Sequence, residues 1–422
     1  MSGNSISFSS DGNSFDIHLG TNSQNNIIFS RTLKRIISTN SLRCMFAPEH
    51  YSGEAMSDEQ LQRLVVEVKG LCDRQHVEFE AATKEVAKAI DFHDTKQLNF
   101  HFYQRIALLA RNNNLQDEYA AYQNTTSALL SRKLRPYQSK AAFYASKAVM
   151  SCNFSVPGSG KTTIAYAVFA YLNSIPKKNL DYVEKLLVIG PISSFQPWLE
   201  EFSQCFGTNR KLSVTIFDKY SQDEINAYCR SKLTTEVTVI NYEKVRRNAD
   251  SIRLFLERNR TLLVIDESHR MKNPFSQTAI AIKKLGKYPR AKLLLTGTPM
   301  PNGYEDLFTQ FSFLWPENNL MGFSYDQLRH LSKAGPESIF AAPNINLLQE
   351  SISPFFVRIT KDMLELPPPE APIIIHVELS ESERELYEII NQSRISVDPN
   401  DYTSIRLLRA KLIRLMQTST NP

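Results

Sequence analysis

Residues 155–162 read Ser155-Val156-Pro157-Gly158-Ser159-Gly160-Lys161-Thr162, and no other stretch limits the possible folds so sharply. Small residues ahead of a lysine and a hydroxyl make a loop whose backbone N–H groups can wrap an anion. The segment after it, residues 163–172, is apolar enough for a buried helix, whose N-terminal dipole would face the same anion. The strict pattern opens on glycine, and Ser155 stands there instead. A second feature restores the reading. The apolar run Leu262-Leu263-Val264-Ile265 ends in Asp266-Glu267, as a magnesium-binding strand end does. Loop and helix come first and the acidic strand end later, the order an open α/β sheet needs to gather ligands at its strand C-termini.

The chemistry follows from the residue types. Pro157, Gly158, Ser159, Gly160, Lys161, Thr162 and Thr163 form the expected phosphate cradle. Lys161 supplies a point charge to the outer phosphates, while the Thr162 hydroxyl and Asp266 are the expected magnesium ligands. Glu267 is the expected base that polarises the attacking water, so Lys161, Asp266 and Glu267 form the catalytic set. ATP and magnesium are therefore the expected cofactors.

More blocks surround this pair. Leu134-Arg135-Pro136-Tyr137-Gln138 precedes the loop. Val188-Ile189-Gly190-Pro191-Ile192-Ser193, Val239-Ile240-Asn241-Tyr242-Glu243, Asp266-Glu267-Ser268-His269-Arg270-Met271-Lys272-Asn273 and Leu295-Thr296-Gly297-Thr298-Pro299 follow it. Further on come Phe356-Val357-Arg358-Ile359-Thr360-Lys361-Asp362 and Leu366-Pro367-Pro368. Over about residues 131–422 the chain resembles the first, N-terminal RecA-like motor lobe of Swi/Snf-related ATPases, within the superfamily-two helicase-like proteins.

That resemblance assigns roles. Gln138 would read the adenine edge, since a glutamine amide both donates and accepts. His269, Thr296 and Thr298 would couple the nucleotide site to the nucleic-acid site. Ser193, Asn241 and Tyr242 would touch a nucleic-acid backbone, although Asn241 stands where the family would carry threonine. Trp198 reads as core. The implied partner is nucleic acid, with duplex DNA as the track. Hydrolysis in such motors also needs a second RecA-like lobe or a partner to supply arginine fingers, worth ~10³–10⁵ in rate. This chain carries no second series of such blocks, so it is expected to be a weak catalyst alone. The leading reading is a duplex-DNA translocase of remodelling, defence or restriction type. A strand-separating DNA or RNA helicase and a nucleotide-gated binding module without hydrolysis are the alternatives.

Composition sets the outer bounds. The 422 residues, 42% of them hydrophobic, allow two or three domains with sizeable cores. No apolar run approaches the ~20 residues that span a bilayer, and Met1-Ser2-Gly3-Asn4-Ser5 is no export signal. An intracellular protein, in the cytoplasm, nucleus or nucleoid and away from membranes, is expected. Cys44, Cys72, Cys152, Cys205 and Cys229 lack zinc or disulfide spacing and read as thiols. His93 and His101 near Asp94 read as helix surface. Residues 1–130 hold 12 Lys and Arg against 15 Asp and Glu, leaving 37 against 29 for the rest. The positive excess therefore lies in the motor region, which suits a phosphate backbone, though solvated lysines explain it as well.

The expected fold is α/β: a RecA-like phosphate-loop lobe with a mostly parallel, doubly wound sheet, preceded by a mainly helical N-terminal domain. Strands are expected at 185–189, 214–217, 237–240, 262–265 and 292–295. Residues 1–130 form the accessory domain, 131–365 the ATP-binding lobe, and 366–422 a Pro-rich connector with a strand at 373–379 and helices at 382–391 and 403–416. In the accessory region Ile6-Ser7-Phe8 and Phe15-Asp16-Ile17 fit either strand hairpins or partial disorder. Arg31, Lys34 and Arg35 read as a basic turn. A capping box at Ser57-Asp58-Glu59-Gln60 opens a helical pattern, with Leu61, Leu64, Val65, Val68 and Leu71 on one face, that runs to about residue 90 as one helix or two. Another helix spans about 95–111 and stops at Asn112-Asn113-Asn114.

Overall fold

The computed structural model describes residues 5–11, 13–25, 27–40, 43–54, 57–208, 210–211, 213–334, 338, 341–364, 378–392, 407–408 and 410–416. The chain divides into two compact units, Met1–Glu365 and Leu366–Pro422.

The first unit opens with a five-stranded sheet: β1 (Ser5–Ser10), β2 (Phe15–Leu19), β3 (Arg43–Phe46), β4 (His50–Glu54) and β5 (Glu78–Ala81), in the order β3-β4-β2-β1-β5. The alternation around Phe8 and Ile17 makes an antiparallel hairpin, with Phe8 opposite Ile17. β5 joins parallel to β1. Ile6, Phe8, Phe15, Ile17 and Leu19 point to one side and pack on Leu61, Leu64, Val65, Val68 and Leu71. The predicted helical stripe is thus the cover of the predicted hairpin. Ser57 and Gln60 cap that helix, Asp58–Gln75, reciprocally.

Three local readings change. Arg31, Lys34 and Arg35 lie in a helix, Ile27–Asn40, because Phe29, Leu33 and Ile37 recur every fourth position and are fully buried. The helical pattern from Ser57 does not continue to residue 90: left-handed His76 ends the helix, and Glu78–Ala81 becomes an edge strand. The next helix, Lys84–Arg111, runs unbroken for 28 residues, joining segments read as separate.

The second sheet holds β6 (Met150–Asn153), β7 (Lys185–Gly190), β8 (Val214–Ile216), β9 (Val237–Asn241), β10 (Thr261–Asp266), β11 (Ala291–Leu295) and β12 (Phe356–Val357). Their order is β12-β6-β11-β10-β7-β9-β8, and every pairing is parallel. Leu186, Val188, Leu262, Val264 and Leu293 face one core, with the helices Pro136–Ala148, Lys161–Ser174 and Phe195–Phe206. Leu187, Ile189, Leu263, Ile265 and Leu294 face the other, with Gln222–Arg230, Ala249–Arg258, Gln277–Leu285 and Asp306–Leu314. Strands buried on both faces explain the unbroken apolar runs, and the result is the expected doubly wound α/β lobe. β6 and β12 were absent from the sequence-based list because four and two residues carry too little pattern.

One cation sits inside this core. Lys292 on β11 is 2% exposed, and its ammonium donates to the carbonyls of Gly286, Phe313 and Leu314 at 2.6, 2.9 and 2.5 Å. These carbonyls lie at or just beyond the C-terminal ends of two helices, where orphan acceptors and the negative dipole end favour a cation. Burial pulls the other way and lowers its pKa to about 7.

In the second unit, Ser380 and Glu383 cap the helix Glu381–Gln392, and residues 407–408 and 410–416 are helical. Pro367-Pro368-Pro369 and nearly all of the 373–379 strand lie outside the described residues. No described helix is long and apolar enough to cross a membrane.

Candidate nucleotide site

Adjacent strands assemble the site. β11 lies between β6 and β10, so the ends of three neighbouring strands present the phosphate loop, Thr296-Gly297-Thr298 and Asp266-Glu267 side by side. The loop joins β6 to the helix Lys161–Ser174. Gly158 and Gly160 take left-handed φ of 82° and 77°. At Gly160 a Cβ would sit 2.2 Å from Gln138 Nε2, so glycine is required there by both backbone and space. A Cβ on Gly297 would lie 3.0 Å from Pro157 Cδ, so the turn after β11 packs directly on the loop.

Lys161 reaches back over the loop and donates to the carbonyls of Ser155 and Val156, at 3.0 and 3.4 Å. Burial lowers its pKa, and the nearby Glu267 and Asp266 carboxylates push it back up. Ser159 Oγ is buried without a hydrogen-bond partner, a vacancy an anion's oxygen would fill. Thr163 turns away: its buried hydroxyl donates to Glu201 Oε1 at 2.5 Å, so only its main chain is left for the cradle. Glu201 is in turn held by Arg132 at 2.8 Å. Gln138 is 6% exposed and already engaged, accepting from Arg135 N–H and donating to the Ser159 carbonyl at 3.2 Å. It braces the loop from beneath, a role invisible in the sequence.

Asp266 is tightly framed. Its Oδ1 accepts from Glu267 N–H at 3.0 Å and its Oδ2 from Trp198 Nε1–H at 3.1 Å. Each oxygen keeps a lone pair, and a fixed carboxylate suits a hard cation that takes its other ligands from phosphates and water. Among the described residues no three His, Cys, Asp or Glu side chains form a metal site by themselves. Magnesium held partly by its substrate fits that donor set. Trp198, expected as core, is fully buried against Tyr166 and also orients the Asp266 carboxylate. Its Trp-to-acid contact spans 68 positions and leaves no local signal. Trp198→Phe keeps the ring but removes the donor, and the expected result is a roughly tenfold weaker magnesium requirement curve for nucleotide binding. Titration of magnesium at fixed ADP checks this; an unchanged midpoint would remove Trp198 from the site.

Glu267 holds a left-handed φ of 52°. This is uncommon for a residue with a side chain and persists where neighbours impose it. Tyr242 is one such neighbour. Its phenol donates to the carbonyls of Asp266 and Glu267 at 2.5 and 3.1 Å, and burial raises its pKa well above the ordinary value. Tyr242 is therefore a strut beneath the acid pair. Asn241 caps the helix Tyr242–Arg247, its Oδ1 accepting from Lys244 N–H at 2.8 Å. Ser193 is the expected contact that stays exposed. It lines a cleft of about 420 Å³ with Asp266, Glu267, His269 and Arg270. Arg270 lay unremarked within the motif.

His269 lies between the acid and the threonines. Its Nδ1 is 3.2 Å from Glu267 Oε2, 2.9 Å from Thr296 Oγ1 and 3.4 Å from Thr298 Oγ1. Thr296 Oγ1 also accepts from Thr298 N–H at 3.1 Å. The three residues expected to couple form one hydrogen-bonded bridge from the end of β10 to the end of β11.

Residues 154–419 match the family model of the SNF2-related domain, well over half of the chain. The chain belongs to the SNF2-related domain family. The chain is 32% identical over 163 residues to the DNA repair and recombination protein RDH54 of Saccharomyces cerevisiae, covering 37% of this chain and 17% of that protein. It is 28% identical over 242 residues to the ATP-dependent helicase FUN30 of the same species, covering 55% and 20%. The chain thus spans about a fifth of the length of these relatives. It is also similar to the Sulfolobus solfataricus SWI2/SNF2 ATPase core in complex with dsDNA, at 24% identity and a TM-score of 0.44, over 69% of this chain and 59% of that one.

Proposed function

We propose that this chain is the ATP-binding and hydrolysing lobe of a nucleic-acid-dependent motor that translocates on duplex DNA. The observation that carries the reading is the juxtaposition of Lys161, Asp266-Glu267 and the His269–Thr296–Thr298 bridge at the ends of adjacent parallel strands. One group binds phosphate, one holds magnesium and activates water, and the third links the two strand ends that the nucleotide would join. Magnesium, when bound, neutralises charge on the phosphates. Lys161 leaves its loop carbonyls for the outer phosphates, the Gly158–Gly160 backbone cradles them, and Glu267 accepts the proton of the attacking water. A second RecA-like lobe, on a longer chain or a partner, supplies the arginines that complete the transition-state charge. Family membership and names such as FUN30's, an ATP-dependent helicase, support ATP use. The dsDNA of the Sulfolobus complex is that protein's ligand, and duplex DNA here is our reading.

Only Ser193 remains as an exposed backbone contact from the sequence-based set, beside Arg270. A single lobe with so few contacts is expected to bind duplex DNA weakly and without sequence preference. The affinity should fall with salt on a shallow log–log slope, roughly −0.9 per phosphate neutralised. Fluorescence anisotropy across salt concentrations checks this. Strong preference for one sequence, or no salt dependence, would contradict it. With both lobes present, ATP-driven triplex displacement without strand separation identifies the translocase, and strand displacement the helicase.

A further inference from the structure

The Ser155 position breaks the strict phosphate-loop pattern, and the structure gives that break a physical content. Ser155 is fully buried and does not use the positive φ for which a glycine would be needed. Its N–H donates to Asn153 Oδ1 at 3.1 Å, and its carbonyl accepts from Lys161 Nζ at 3.0 Å. Its hydroxyl oxygen accepts from Ile359 N–H at 2.9 Å, 204 positions away. The neighbours on either side make the same crossing. Phe154 N–H donates to the Val357 carbonyl at 2.9 Å, and Val156 N–H to the Ile359 carbonyl at 3.1 Å. The loop is thus stitched on both sides of Ser155 to β12 and the residues that follow it. On its other flank this segment meets the end of the helix Lys84–Arg111: the Arg111 guanidinium lies 5.0 Å from the Phe356 ring and donates to the Ser353 carbonyl.

We propose that Ser155 is a positioning residue that couples Lys161 to β12, so that phosphate binding in the loop is transmitted to the strand leaving the lobe. The coupling rests on the nucleotide reading above. The same residue holds the Lys161 ammonium through its carbonyl and the Ile359 amide through its hydroxyl. A phosphate competes for that ammonium, and Lys161 cannot serve both partners fully. The carbonyl then loses its donor, and the peptide of Ser155 can shift. With a glycine there, only the main-chain bond from Val156 N–H to the Ile359 carbonyl would carry the shift. With the hydroxyl anchored on the Ile359 N–H, two residues beyond β12, it also moves the side-chain bond that holds the segment following β12. Beyond β12 the turn Asp362–Leu364 ends the described part of the first unit, and the chain continues into residues 366–422.

Amide hydrogen exchange on residues 1–422, with and without Mg–ADP, tests this. In the unmodified chain Mg–ADP should slow exchange in peptides covering 158–163 and, because the Ser155 anchor on the Ile359 amide is displaced, speed it about fivefold in those covering 356–360. In Ser155→Ala and Ser155→Gly the response at 158–163 should persist while that at 356–360 shrinks to the part carried by the Val156–Ile359 main-chain bond. Ser155→Thr, which keeps the oxygen, should restore it. If one substitution prevents folding, the others give the same comparison. A merely structural serine would speed exchange at 356–360 in every state and leave the ADP-dependent difference unchanged, and that result overturns the coupling. So does an unmodified chain in which 158–163 respond to Mg–ADP and 356–360 do not. No response anywhere to Mg–ADP would instead overturn the nucleotide reading, and the coupling with it.

Discussion

Lys161→Ala is expected to weaken Mg–ATP binding roughly 30- to 150-fold and to abolish turnover once both lobes are present. The side chain's ammonium donates to the loop carbonyls at 155 and 156, and a charged hydrogen bond of its kind contributes about 2–3 kcal/mol. Folding should survive, because the loop remains stitched to β12 through Val156 and Ser155 without the lysine. Calorimetric titration with Mg–ADP, paired with a thermal melt, separates the two effects. Unchanged affinity in a folded variant would show that the loop is not the phosphate site.

Glu267→Gln is expected to do the opposite: retain Mg–ATP and lose hydrolysis by about 10²–10⁴. Glutamine has the same shape and meets the same left-handed φ of 52° on equal terms. The strut from Tyr242 and the carbonyl contact from Arg270 N–H involve the main chain and stay intact. Only the negative oxygen that accepts water's proton is removed. Single-turnover phosphate release in the two-lobe protein measures the loss, and wild-type rates would require a different base.

The legible parts of the molecule are those whose signals are local. The phosphate loop declares itself in eight consecutive residues, and the strands ending at Gly190, Asn241, Asp266 and Leu295 declare themselves as apolar runs because both faces are buried. Leu61, Leu64, Val65, Val68 and Leu71 form a stripe that any helix would bury. The contacts that leave no local signal mostly join residues distant along the chain. Tyr242 and Asn241 sit in a motif whose family role is a nucleic-acid contact, yet here a phenol supports the Asp266 carbonyl and an amide caps a helix. Gln138 and Trp198 brace the site through contacts across 21 and 68 positions. β5 was missed because its residues are mostly exposed and a helical pattern runs up to it. The length of the helix Lys84–Arg111 was missed for a related reason: its buried residues, Val86, Ala89, Phe100, Ala107 and Ala110, leave a gap that reads as an end.

The central claim is that this lobe binds Mg–ATP at the Lys161 loop as half of a two-lobe motor. Steady-state phosphate release, measured on residues 1–422 with and without duplex DNA and again with a second lobe supplied, addresses it most directly. The account predicts saturable Mg–ATP binding with barely measurable turnover for residues 1–422, little changed by DNA. It predicts a rise of about 10³–10⁵ when the second lobe's arginines are present. Brisk, DNA-stimulated turnover by monomeric residues 1–422 would contradict it.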